Sequence, residues 1–296
     1  MEKFAFLNAT SKLMNRKQTM FFPIALLTLV LTGAGFGQAS SDGRVAAKLA
    51  DPTRPASVSA HIINGNITVQ GGMVQEVIVE ARTREGREDR EERHSDRNAA
   101  GMKRIPMTST GLNVEAENNQ VRITTDQTQR TVDLVITVPT RSSLSLKTIN
   151  NGNILVTGVD GELDVDDING NVTLKSVSGS VVAHALNGNV VVTMNRADAK
   201  PMAFSSLNGN IDVTFPSDLK ASVSMRTDNG EVYSDFDVQL DTTAPRQIVE
   251  DGRSNGGKYR VRMDKTVKGK IGGGGPEIQF KNFNGNIYIR RAGAKQ

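Results

Sequence analysis

The centre of the chain alternates apolar and polar positions around glycines that recur at every ninth position. These glycines lie at 152, 161, 170, 179 and 188. Counted from each of the first four, positions +2, +4 and +7 are always apolar, and the positions between them are mostly polar. Alternation with a period of two predicts a short strand with one buried face, and the third apolar position predicts a return to the interior after a corner. The predicted interior residues are Ile154, Val156, Val159, Leu163, Val165, Ile168, Val172, Leu174, Val177, Val181, Ala183 and Leu186.

The residues on either side of the glycines predict how the strands stack. Asn, Asp or Ser precedes each glycine, which is typical of tight corners because glycine accepts positive φ angles. Asn-Gly-Asn occurs at every second corner, which favours a coil of two nonapeptides with two strands. One coil cannot bury its own apolar face, so the pattern predicts an all-β fold, a parallel β-solenoid of the single-stranded β-helix type, right-handed by the usual bias of parallel crossovers. Stacking would align Asn151, Asn169 and Asn187 in a side-chain amide ladder.

Further corners of the same kind extend the pattern beyond the nonapeptide repeat. They lie at Gly209 and Gly230, while INGNITV at Gly65 and FNGNIYI at Gly285 are expected to bracket the set. Each of these glycines is followed by alternating apolar residues. The corners therefore indicate one continuous domain.

This domain is predicted to span 57–291, with short capping strands at its N-terminus. A linker over 40–56 precedes it and a tail over 292–296 follows it. A charged loop is inserted at 82–104, and its first part, RTREGREDREERHSDR, contains six Arg and six acidic residues. Because the positive and negative charges of this part cancel, a solvated loop is favoured. The alternative is an ionic docking site for a partner or for an anionic envelope polymer.

The N-terminal residues 1–39 are typical of a secretory signal peptide. An apolar run over 21–31, FFPIALLTLVL, follows a basic flank and precedes small residues that end at Ala39. The run is too short for a membrane span, which needs about 20 apolar residues. We therefore expect an extracytoplasmic protein, in the periplasm, on the cell surface or secreted, with no membrane span after signal removal. A retained anchor and a start at Met14 are the alternatives.

Charge and cysteine content narrow the possible functions. The formal net charge of +4 falls to +1 without residues 1–39, so the mature chain lacks the basic footprint of a nucleic-acid-binding protein. The chain contains no Cys, which excludes disulfides, thiolate zinc sites and catalytic thiols. Aromatic residues make up only 4% of the chain, which is unusual for a conventional enzyme core.

Metal binding is weakly supported by the sequence. Nonapeptide repeats also occur in the calcium-binding β-roll. That motif has an Asp at a constant position in each repeat, which this chain lacks. Four acidic residues cluster in a single repeat, where outward, solvated carboxylates are the simpler interpretation: Asp160, Asp164, Asp166 and Asp167. A three-histidine zinc site would need His61, His94 and His184 together, one of them from the charged loop.

Acid–base catalysis has one candidate pair, Asp166 and His184. They lie two nonapeptides apart at equivalent outward positions and would be neighbours on the stack. The outward residues around them do not converge, which favours a surface pair over a catalytic one. The run Lys268 to Pro276 contains four consecutive glycines but precedes a strand pattern, so a flexible corner is favoured over a phosphate-binding loop.

The order of these segments resembles the bacterial putative adhesin domain family. The resemblance is carried by GLNVEAENN, the strand VDLVITVP, the serial NGN corners, and the closing IGGGGPEIQF and NGNIYIRR, and it spans residues 60 to 291. It implies an exported single-stranded β-helix of the cell envelope and suggests adhesion. It supplies no catalytic residue, and it makes the charged segment an insertion.

These observations favour a non-enzymatic exported β-solenoid that serves adhesin-like surface attachment or scaffolding at the bacterial cell envelope. Outward residues such as Thr157, Asp166, Lys175 and His184 would bind an unknown surface glycan or envelope protein. No residue is assigned to catalysis, to a cofactor or to a metal. Two alternatives stay open: a carbohydrate-active β-helix enzyme, whose product release would disappear in Asp166→Ala, and an envelope signalling or regulatory partner.

Overall fold

The fold is all-β, as the alternating pattern predicted. The computed structural model describes residues 43–84, 110–126, 130–150, 152–241, 247–251, 259–263 and 265–294, and these contain strands and no helix. The predicted signal peptide lies outside the described residues, as does 85–109, which holds most of the charged insertion. In chain order the strands are β1 (Arg44–Lys48), β2 (Ala56–Asn64), β3 (Ile67–Gly72), β4 (Glu76–Arg84), β5 (Leu112–Glu117), β6 (Gln120–Thr125), β7 (Thr131–Pro139), β8 (Ser142–Asn150), β9 (Ile154–Thr157), β10 (Asp160–Asp167), β11 (Val172–Asn187), β12 (Val190–Ala197), β13 (Met202–Asn208), β14 (Ile211–Phe215), β15 (Ala221–Asn229), β16 (Val232–Ser234), β17 (Val238–Leu240), β18 (Gln247–Asp251), β19 (Tyr259–Met263), β20 (Val267–Ile271), β21 (Glu277–Asn284) and β22 (Ile287–Arg291).

Two stacks of parallel strands form the body of the sheet. The first stack runs through β6, β2, β8, β10, the second half of β11, β13, β21 and β15. The second stack runs through β7, β3, β9, the first half of β11, β12, β14, β22 and β16. From β8 to β14 the chain alternates between the stacks, and Gly161 pairs with Gly179 of the next coil. Two strands, and thus two nonapeptides, therefore make one coil here.

Two coils are out of chain order, against the expectation that Gly65 and Gly285 bracket the set. The coil of β2 and β3 lies between the β6–β7 segment and the coil of β8 and β9. The coil of β21 and β22 lies between β13–β14 and β15–β16. Nearly the same Asn-Gly-Asn sequence occurs at these corners. The corner sequence therefore determines that a segment forms a coil of the stack, but not which coils it lies between.

The sheet is mixed, whereas the sequence predicted a parallel one. Antiparallel pairs join β1 to β4, β4 to β7 and β5 to β6 at one end of the stacks, and β20 to β15 and β17 at the other. The hairpin of β18 and β19 forms a separate antiparallel sheet. Strand β1 lies within the segment 40–56 that was expected to be a linker, and Arg82–Arg84 at the start of the predicted insertion belong to β4.

Ten of the twelve residues predicted to be interior are buried, and two are not. Ile168 and Leu186 are only half-buried. The alternation of β10 and β11 continues for one more step before the corner, so that Asp167 and Ala185 occupy the interior instead, each with 0% exposure. The prediction that Asp167 is an outward, solvated carboxylate is therefore wrong.

Corner glycines are required for close approach as well as for φ. Gly179 has the positive φ that the sequence predicted, at 111°. Gly170 shows no positive φ, but a Cβ atom there would lie 1.7 Å from the carbonyl oxygen of Gly152 in the neighbouring coil. Adjacent coils thus approach so closely at this corner that no side chain fits between them.

Two ladders of asparagines run along the corner. In the first, each side-chain amide donates to the side-chain oxygen of the rung before it, which forms the predicted amide ladder, but Asn150 takes the place expected for Asn151, which lies outside the described residues. Its bonds of 2.8 to 3.2 Å connect Asn150, Asn169, Asn187, Asn208, Asn284 and Asn229. In the second, each side-chain oxygen accepts a hydrogen bond of 2.7 to 3.0 Å from the backbone N–H of the residue at the next rung. In stacking order the members are Asp133, Asn66, Asn153, Asn171, Asn189, Asn210, Asn286 and Glu231.

Candidate functional site

The outward face of the first stack carries a column of polar side chains in register, which we call the outer column. Each member is the Cα partner of the next across a parallel strand pair, so the column crosses seven strands. Its members are His61, Lys147, Asp166, His184, Ser205, Lys281 and Arg226. Four of the seven are Lys, Arg or Asp, so this face is strongly polar.

The predicted pair Asp166 and His184 lies on adjacent rungs, as expected from its spacing of two nonapeptides. Each side chain, however, pairs away from the other. The Asp166 carboxylate lies 2.8 Å from Lys147 Nζ, and His184 Nδ1 lies 2.7 Å from Ser205 Oγ. The hydrogen bond to Asp166 raises the pKa of Lys147 above its usual range, because the carboxylate stabilises the ammonium form. The pair is thus part of a surface ladder and does not converge on a common point.

Thr157 and Lys175 lie on the other stack. They are register partners between β9 and β11, and Gln70 of β3 follows on the other side of Thr157. The four outward residues expected to bind a partner are therefore two pairs on two different stacks. The structure does not bring all four together.

The clustered acids diverge instead of forming a cation site. Asp160 is bound by Arg196 at 2.7 Å, Asp166 by Lys147, and Asp167 points into the core. Across the described part of the chain, no three His, Asp or Glu side chains gather in a way that would hold a metal ion. Of the three histidines, His94 lies outside the described residues, and two rungs of the outer column separate His61 from His184.

The glycine-rich run forms the turn between β20 and β21. Gly272, Gly273 and Gly274 all have positive φ. A strand, not a helix, follows this turn, so the turn lacks the helix N-terminus that a phosphate-binding loop requires. The turn borders an open groove of about 580 Å³ that Arg196 and Lys220 also line. The Arg196 guanidinium is already bound by Asp160 and Asp198, so its charge is largely neutralised at this groove.

The second stack also carries an aromatic surface that the sequence pattern does not indicate. We call it the tyrosine patch, and its members are Asp212, Glu231, Tyr233, Tyr288 and Arg290. The rings of Tyr233 and Tyr288 stack with centroids 5.3 Å apart and planes 9° from parallel. The Arg290 guanidinium lies 5.3 Å from the Tyr288 ring centroid and is held by Asp212 at 2.7 Å. These contacts fix the rings on rigid strands.

Tyr233 is the more exposed of the two rings in the patch, with 47% of its surface accessible. Its hydroxyl donates to Glu231 at 2.8 Å, and this bond raises the pKa of the phenol. Both tyrosines occupy the third position after a corner glycine, Gly230 and Gly285. That shared position was visible in the sequence, but the two coils are far apart along the chain and stack in reversed order, so their contact was not evident.

The comparisons with known proteins place the chain in a family. The model of the Toastrack DUF4097 family matches residues 57–272, which is well over half of the sequence. The chain belongs to this family. The predicted resemblance to putative adhesin domains of unknown function is thereby confirmed for this Toastrack protein. No curated protein matches it.

Two solved structures are similar to this Toastrack protein. One is a putative cell adhesion protein from Clostridium sporogenes ATCC 15579, at a TM-score of 0.37 and 10% identity, covering 84% of this chain and 99% of that one. The other is a putative adhesin from Bacteroides fragilis NCTC 9343, at a TM-score of 0.36 and 13% identity, covering 84% of this chain and 96% of that one. Within the described residues, no helix has the length and hydropathy needed to cross a membrane.

Proposed function

We propose that this Toastrack protein is a non-enzymatic, adhesin-like attachment or scaffolding protein at the bacterial cell envelope. Its scaffold is a right-handed β-solenoid, whose hand an experimental structure would test. The observation that supports attachment is the tyrosine patch, where an exposed aromatic ring is held on rigid strands beside charged and amide groups. Aromatic rings with a polar edge bind both the apolar face of a sugar ring and protein surfaces. The partner is a surface glycan or an envelope protein.

Binding through the patch predicts a large effect of Tyr233→Ala. We expect the purified protein to bind a glycan array or to crosslink to an envelope protein in cells, and the substitution to weaken that binding about tenfold or more. Tyr233 lies on the surface, so the unfolding midpoint in urea should change little. Phe283→Ala is the matched control, because Phe283 is 45% exposed and lies on the first stack.

Two outcomes would contradict this proposal. One is binding that Tyr233→Ala and Phe283→Ala leave equally intact, which would move the contact away from the patch. The other is release of products from a polysaccharide that Asp166→Ala abolishes. That result would make the chain an enzyme.

Export is the second part of the proposal. We propose that residues 1–39 are a signal peptide, and we expect mass spectrometry of the extracytoplasmic protein to find Ser40 at its N-terminus. The apolar run before this site is flanked by basic residues and then by small ones, which supports cleavage. A retained anchor would instead leave residues 21–31 on the chain and the protein in the membrane fraction.

A further inference from the structure

A column of side chains points into the core at the corner end of the first stack, which we call the inner column. It lies one residue beyond the outer column, and its members are register partners from strand to strand. In stacking order they are Ile62, Thr148, Asp167, Ala185, Ser206, Asn282 and Thr227. Five of the seven are polar, which is unusual for positions in an aliphatic core.

Four members of the inner column share one hydrogen bond. Each donates to the carbonyl oxygen of the corner glycine in the adjacent coil, always on the same side of the stack. The donor atoms are Thr148 Oγ1 to Gly65 at 3.2 Å, Ser206 Oγ to Gly188 at 2.9 Å, Asn282 Nδ2 to Gly209 at 2.8 Å and Thr227 Oγ1 to Gly285 at 3.0 Å. A side-chain donor therefore links one coil to the next at these rungs. The donor is buried at three of them and half-buried at Thr227, and the apolar Ile62 and Ala185 supply none.

Asp167 occupies the same position, and by that rule its acceptor is the carbonyl oxygen of Gly152. The two oxygens lie close together, because Asp167 Oδ2 and the Gly152 oxygen are 2.7 and 1.7 Å from where the Cβ of Gly170 would be and therefore no more than 4.4 Å apart. Asp167 is 0% exposed, and neither of its oxygens has a hydrogen-bond partner among the described residues. A carboxylate has no proton to donate, whereas a carboxylic acid has one.

We propose that Asp167 is a neutral carboxylic acid that donates its proton to the Gly152 carbonyl oxygen, so that a titratable hydrogen bond joins two coils in the middle of the stack. Loss of this proton leaves a buried charge facing a carbonyl oxygen, which is unfavourable. The contact between these two coils is then weakened.

The surroundings of Asp167 favour the neutral form. Burial raises the pKa of Asp167 to about 7, and the negative charge of Asp166 contributes to the shift. The N–H of Asn169 acts in the opposite direction, but it does not reach hydrogen-bond geometry.

The strands packed against β10 are β8 and β11, and in their described residues they place no ionisable group beside Asp167 in the core. Its register partners there are Thr148 and Ala185. The nearest charged or titratable side chains on these strands, Lys147 and His184, belong to the outer column, where Asp166 is bound to Lys147. Asp164 of β10 is also exposed on the outward face.

The sign of the pH effect follows from the direction of the shift. The pKa of Asp167 rises from 3.8 to about 7 on folding, so the folded chain holds this proton at pH values where the unfolded chain has lost it. The contribution to the free energy of unfolding is therefore complete below about pH 4, falls as the pH rises to about 7, and is constant above that.

Asp167→Asn and Asp167→Thr test the proposal. Both keep a donor of a kind that the inner column already uses at Asn282 and Thr148, and neither titrates. Urea unfolding from pH 4 to pH 8 should show the folding equilibrium constant of wild type falling relative to each variant, on the order of a few hundred-fold across this range. Asp164→Asn is the control, because Asp164 is an exposed carboxylate on the same strand, and it should leave the pH dependence of wild type in place.

Infrared spectroscopy of the wild-type protein provides a second measurement that needs no variant to fold. Between about pH 5 and 6, where ordinary Asp and Glu side chains are ionised, we expect a carbonyl stretching band of a protonated carboxyl group that disappears as the pH rises above 7. Equal pH dependence in wild type and both variants, or no such band, would mean that Asp167 is charged in the fold, and the proposal would be wrong.

Discussion

Gly170→Ala is expected to destabilise the protein by about 4 kcal/mol or more, which is a large share of the roughly 5–15 kcal/mol that stabilises an ordinary domain. The new methyl carbon would lie 1.7 Å from the Gly152 carbonyl oxygen and 2.7 Å from Asp167 Oδ2. The oxygen belongs to backbone between β8 and β9, which their parallel pairing with β10 and β11 holds in place, so it cannot rotate away as a side chain would. The coils would have to separate, which would also disturb the asparagine ladders on both sides of the glycine.

Gly72→Ala is the matched control for this substitution. Gly72 also ends a strand of the stack, but a Cβ atom there would meet nothing closer than Thr137 Cγ2 at 3.9 Å, and its φ is not positive. We expect its unfolding midpoint in urea to be unchanged or slightly raised, since alanine restricts the unfolded chain. Equal losses in both variants would show that glycine flexibility, not close approach, is what the corners need.

Much of the local structure could be predicted because it depends on short-range periodicity. Leu163 and Val165 alternate with acids, and Gly161 and Gly179 lie one coil apart, so strand, corner and coil length follow from spacing alone. The order of the coils depends on which strands pair with each other across the stack, and the repeated Asn-Gly-Asn sequence is compatible with any order. The insertion of β2 and β21 within the stacks is therefore a long-range result that local patterns do not encode.

The site residues were harder to predict for a related reason. Asp167 was expected on the surface because its apolar neighbour, Ile168, was the better candidate for the core. The small polar residues Thr148 and Ser206 at the equivalent position were the available clue, but they became recognisable only once the strands were in register. Tyr233 and Tyr288 were overlooked because their contact requires the unexpected coil order.

Phe280→Ala is expected to cost about 3–5 kcal/mol of unfolding free energy. Phe280 is 1% exposed on β21, and its ring stacks on Phe204 of β13 at 5.4 Å and meets the edge of Phe215 of β14 at 6.3 Å. These three rings fill the core where the last coil of the chain enters the stack. Their packing therefore holds β21 between β13 and β15.

Phe283→Ala separates this packing from a general loss of aromatic surface. Phe283 lies on the same strand, but it is 45% exposed, so its removal should change the free energy of unfolding by less than about 0.5 kcal/mol. Urea unfolding of the two variants measures the difference. A Phe280→Ala variant as stable as Phe283→Ala would mean that β21 does not insert between β13 and β15. If β21 does insert there, Phe280→Ala is much less stable than Phe283→Ala, because the C-terminal coil is then part of the continuous core and supports the coils on both sides of it.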